Sequence, residues 1–176
     1  MDAADPRPLI VTALFEPVAQ GHFEALRRAH FPAGRNFIPA HVTLFHHLPG
    51  SELAAVRMRI KRLCGEFAPV PVSVAAVQFT GNGVSYRLHA PLLDAIRDDL
   101  ADAWATLLIP QDRNGFRPHV TIQNKAEAGA ARQLHAQLAA AFAPWPTRIV
   151  ALAVWRYLGG PWEALGQTAL RGQAAR

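Results

Sequence analysis

The phrase His-Val-Thr-aliphatic is written twice in this chain, in "PAHVTLF" at His41 and in "RPHVTIQ" at His119, 78 positions apart. The apolar periodicity around each copy spells the same series of elements. Short β-branched runs predict strands over 9–15 and 84–90. Helices follow over 18–30, with Phe23, Leu26 and Ala29 one turn apart, and over 91–107, with Leu92, Ala95, Ile96, Leu100 and Trp104 on one stripe and Pro91 in the first turn. The motif strands come next, 41–45 and 119–122. Helices over 51–66 (Leu53, Val56, Ile60, Leu63, Phe67) and 127–142 (Leu134, Leu138, Phe142) precede strands over 70–79 and 148–158. "TGNG" and "GGP" supply turns, and 162–170 reads as a closing strand. The first strands, the motif histidines, the second helices and the strands after them are offset by 75 to 78 residues.

A repeat of this length predicts two related halves, about 9–80 and 84–158, in one tightly packed unit spanning 1–176. Strands interspersed with helices favour an α+β fold. Hydrophobic residues make up 51% of the 176 and charged residues 18%, enough apolar material for a sizeable core. The net charge of +5 tilts the chain towards a polyanionic partner. Cys64 is the only cysteine, so no intramolecular disulfide forms and it reads as a small core hydrophobe. The acidic, proline-bearing start "MDAADPRP" is unlike a secretory signal. No apolar run is long enough to cross a bilayer. The expectation is a cytoplasmic monomer with no membrane partner.

On a strand, alternate side chains share a face. His41 and Thr43 therefore point one way, as do His119 and Thr121, each pair about 6–7 Å apart at Cα. A hydroxyl donates to a phosphoryl oxygen. An imidazole moves a proton near neutral pH. If the halves face each other, the two pairs bracket one phosphorus, one histidine taking a proton from the attacking oxygen and the other giving one to the leaving oxygen. Donors to the non-bridging oxygens make a metal unnecessary.

Two HxT-aliphatic motifs in a duplicated chain, the second as "FRPHVTI", resemble the 2H phosphoesterases, specifically the bacterial 2′-5′ RNA ligase-like, RNA 2′,3′-cyclic phosphodiesterase branch. The resemblance covers about Ile10 to Leu170. It implies a bilobal fold, with antiparallel-rich sheets and outer helices around a central cleft. It implies metal-independent opening of 2′,3′-cyclic phosphates, on RNA ends or small nucleotides, to 2′-phosphates. His41 and His119 become the catalytic pair, with Thr43 and Thr121 as phosphate donors. The expected assignment is His119 as base and His41 as acid. Where many relatives carry a basic residue five positions after the second histidine, this chain has Asn124, followed by Lys125. The alternatives are a non-catalytic RNA-end-binding module and a 2′,5′-phosphodiester hydrolase or ligase.

Further candidates for substrate contact are Phe45, Tyr86, Arg117, Lys125 and Tyr157. Phe45 has the strand parity of His41 and Thr43, so base stacking and cleft-floor packing are both open to it. Tyr86 and Tyr157 sit on strands beside the turns. Arg117 has the parity of His119. Arg27 and Arg28 read as helix surface, and "RMRIKR" (57–62) as a solvated cationic face. His46 and His47 raise the question of a metal, but adjacent histidines on a strand point to opposite faces, and no Asp, Glu or Cys lies nearby in sequence. No metal and no cofactor is assigned. The loops over 31–40 and 108–117 adjoin both motifs and are expected to choose the substrate.

Overall fold

The computed structural model describes residues 5–173. Residues 1–4, the beginning of the acidic N-terminal stretch, and 174–176 lie outside the described residues. The strands are β1 (Leu9–Phe15), β2 (Val42–Leu48), β3 (Val70–Phe79), β4 (Val84–His89), β5 (His119–Gln123), β6 (Trp145–Tyr157) and β7 (Trp162–Ala169). The helices are α1 (Pro17–His30), α2 (Leu53–Glu66), α3 (Pro91–Ala103), α4 (Pro110–Arg113) and α5 (Ala128–Ala140). Proline occupies the first turn of α1, α3 and α4, where its missing N–H costs no hydrogen bond.

The fold is α+β, and its sheet is antiparallel throughout. The strand order is β2-β1-β6-β3-β4-β5, with β7 added beside β6. Exchanging β1 with β4, β2 with β5 and β3 with β6 reverses that order and leaves it unchanged. The two expected sheets are joined into one, because Val70–Val74 of β3 pair with Trp145–Ile149 of β6. β6 begins three residues before its expected start. Pro146 conceals that extension, since proline reads as a strand breaker. It lies beyond the last β1 pair, Phe15 with Ile149, on a side of β6 without a ladder partner.

The helices bury the stripes that packing selects. α2 buries Val56, Ile60, Leu63 and Cys64, close to expectation. Along α3, Ile96 and Leu100, and Trp104 at its end, are buried as the stripe requires, but Leu93 and Arg97 are buried where Leu92 and Ala95 are exposed. In α1, Phe23 and Arg27 are inside and Ala29 is exposed. Arg27 is therefore not helix surface as expected. Tyr86 is also core: it is 5% exposed and packs on the rings of Phe23 and Phe142, each at 5.7 Å. Those rings cover the Tyr86 face of β4 and leave that tyrosine no access to substrate. Of the cationic run on α2, Arg59 pairs with Asp99 of α3, Arg57 donates to the Leu165 carbonyl and Arg62 pairs with Glu66. No described helix is long and apolar enough to cross a membrane.

Candidate active site

β2 and β5 stand at opposite ends of the six-strand path, yet they come into contact. The sheet is curled, and its curl brings the two motif strands to one cleft of about 670 Å³ lined by His41, Thr43, His119 and Thr121. Val42 and Val120 between them are fully buried, which is the alternation that aims the polar pairs outward. The two motifs are built alike. His41 Nδ1 lies 2.7 Å from the Pro39 carbonyl and His119 Nδ1 lies 2.9 Å from the Arg117 carbonyl. A carbonyl only accepts, so each Nδ1 carries the proton, and each Nε2 is left free. Behind the threonines, the neighbouring strands place Thr12 opposite Thr43 and Ser85 opposite Thr121.

Two buried arginines brace the motifs across the halves. Arg27 of α1 donates to the Thr121 carbonyl at 2.7 Å, the Ile38 carbonyl at 3.3 Å and Asn36 Oδ1 at 3.1 Å. It stacks on Phe31 and lines the cleft. Arg97 of α3 donates to the carbonyls of Leu44 and Asp112 and lies over the Phe45 ring. Neither has a carboxylate in ion-pair contact among the described residues. Three of the five Arg27 N–H donors are used, so two remain for a ligand. His41 is lowered from 6.5 to about 4. Burial is the main cause. The Pro39 carbonyl opposes it, and the positive charge of Arg27, His119 and His46 adds to it.

Phe45 is not a cleft residue. Its pairing with Val11, next to Thr12 with Thr43, inserts one extra residue into β2. That bulge turns Phe45 to the opposite face from Thr43. It is fully buried, edge-on to Trp104 at 5.0 Å. A second register shift lies before Leu9 with Leu48. His46 and His47 both line the cleft as a result, correcting the expectation that they face oppositely. Their backbone N–H groups donate to the buried carboxylate of Asp112, 65 and 66 residues away. Burial alone would raise that carboxyl; the His46 ring and these N–H groups outweigh it and hold it below its ordinary value.

Lys125 and Tyr157 line the cleft. Lys125 has a φ of 57°, a left-handed conformation that a lysine seldom adopts. Arg117 is exposed and outside the cleft. Its backbone, not its guanidinium, serves the site, because the carbonyl two residues before His119 orients that ring. The loop over 31–40 contributes Phe31, Arg35 and Phe37, and 108–117 contributes Ile109 and Gln111. Trp162 lines the cleft with its ring 5.2 Å from His41. Nothing local in "GGPWEAL" marks it; only the β6–β7 pairing places it there. Among the described residues no group of three His, Cys, Asp or Glu side chains is placed to share a metal ion.

A curled antiparallel sheet carrying a His-x-Thr pair on each of two facing strands defines the 2H phosphoesterase class. A family model, the 2′-5′ RNA ligase superfamily, matches residues 15–161, and the chain belongs to that superfamily. A search of curated proteins returns no match. Among solved structures, TT0787 of Thermus thermophilus is similar at TM-score 0.66 and 18% identity, over 95% of this chain and 100% of that one. A structure described as a phosphoesterase, with no organism stated, is similar at TM-score 0.60 and 19% identity, over 96% and 100%. LigT of E. coli complexed with 3′-AMP is similar at TM-score 0.52 and 17% identity, over 96% and 100%. These similarities concern the fold.

Proposed function

We propose that the chain is a phosphodiesterase that opens 2′,3′-cyclic phosphates to 2′-phosphates through two histidines, with no metal in the step. The observation that carries this reading is the matched pair: two Nδ1-anchored imidazoles, each with a threonine, lining one cleft. The LigT structure with 3′-AMP supports a phosphate-bearing nucleotide as the ligand class.

Water attacks phosphorus in line with the 3′ oxygen. One Nε2 takes the water proton as the new P–O bond forms; the other gives a proton to the 3′ oxygen as its bond to phosphorus breaks. The product is a 2′-phosphate with a free 3′-hydroxyl. Thr43, Thr121 and the spare Arg27 donors hold the non-bridging oxygens. Burial beside Arg27 keeps His41 neutral, so we assign it the base and His119 the acid, the reverse of the sequence-based expectation.

The test is a panel of 2′,3′-cyclic nucleotides, RNA cyclic-phosphate ends and 2′,5′-linked dinucleotides incubated in excess EDTA, with product regiochemistry determined. Production of 2′-phosphates supports the reading. Cleavage of the 2′,5′ linkage alone would replace it with the 2′,5′-phosphodiesterase alternative. Tight binding without any product would make the chain an RNA-end-binding module.

A further inference from the structure

The cleft carries more positive charge than one phosphate requires. Arg27, Arg35 and Lys125 line it with four histidines, and no Asp or Glu is among the described residues lining it. His46 has no role in the reaction above, yet its surroundings are built. Its Nδ1 lies 2.8 Å from Asp112 Oδ1, and the Asp112 side chain is 1% exposed. Arg97 fixes Asp112 through its carbonyl. A carboxylate behind an imidazole fixes the ring's orientation and which nitrogen faces it. Asp112 therefore anchors Nδ1 of His46, and the ring's other nitrogen, Nε2, is left for a ligand in the cleft. Thr43 to His46 is three residues of bulged strand, at most about 10 Å, a separation within the reach of one nucleotide.

We propose that His46, oriented by Asp112, binds a second phosphate, the one on the 5′ oxygen of the nucleotide whose 2′,3′-cyclic phosphate lies between His41 and His119. That phosphate is a monoester in a mononucleotide and the upstream diester in RNA. The proposal rests on reading the cleft as a phosphoester site.

Calorimetric titration with adenosine 2′-monophosphate and adenosine 2′,5′-bisphosphate tests it without turnover. The bisphosphate binds about tenfold more tightly to the unaltered protein, the scale of one charge-assisted hydrogen bond. His46→Gln brings the ratio of the two affinities close to one. Asp112→Asn, with its fold checked by circular dichroism, also lowers the ratio. A dinucleotide ending in a 2′-phosphate, titrated alongside, shows whether the diester is accepted as well as the monoester. Equal affinity for both mononucleotides, or a ratio unchanged in His46→Gln, overturns the subsite and leaves the phosphodiesterase reading standing. Binding of neither ligand overturns both.

Discussion

At the scale of single residues, the proposed chemistry depends on two imidazoles that local contacts orient and their surroundings differentiate. Replacing His41 or His119 by alanine is expected to lower kcat by about 10²–10⁴-fold, with the unfolding midpoint in urea nearly unchanged; full turnover in either variant refutes the mechanism. His41 also makes a stability prediction. Its folded value is lowered from 6.5 to about 4, so in that window the unfolded chain binds a proton that the folded chain refuses. Stability therefore falls as pH drops from about 6.5 to about 4. His41→Gln removes this contribution and should lose less stability between pH 7 and pH 4.5, read by urea denaturation at each pH. Phe45 tests the boundary between site and core. Phe45→Ala should cost about 3–5 kcal/mol, whereas Phe45→Leu should leave KM unaltered. A KM that rises in the leucine variant would return Phe45 to the substrate.

At the scale of elements, the bulged end of β2 decides what the cleft contains. Two register shifts take backbone N–H groups out of the ladder, and Asp112 of α4 accepts them. Asp112→Ala leaves buried donors without partners and should destabilise the protein by about 2–4 kcal/mol; a loss below about 0.5 kcal/mol in equilibrium unfolding would show that solvent replaces the carboxylate. This is also where sequence reading reached its limit. His41, Thr43, His119 and Thr121 were legible because alternation within a few residues is local. Phe45 and His46 fall on faces that alternation alone does not give them, because an inserted residue reverses the faces that follow it. Tyr86 obeys strand alternation, but its covering rings come from α1 and the segment after α5. Arg27 reads as surface because nothing near it in sequence shows the Thr121 carbonyl, 94 residues away. α4, only four residues long, has no period to detect.

At the scale of the whole molecule, the thirteen-residue β6 joins what the repeat divides. Its first part pairs with β3, and the rest lies between β1 and β7. The two halves should therefore unfold together: tryptophan fluorescence and far-ultraviolet circular dichroism should give coincident urea transitions, and separated transitions would mean two independent units. The α+β class was readable from the element order, but the fusion into one sheet was not, because strand pairing between distant segments leaves no periodic trace. The seventh strand is the part of the sheet that the exchange of halves does not reproduce. It sets an indole beside one imidazole and not the other. Matched reactive groups alone would let a ligand enter head-first or tail-first; an aromatic wall at a single end gives the groove a polarity, so under the proposed function a nucleotide would enter in one fixed sense.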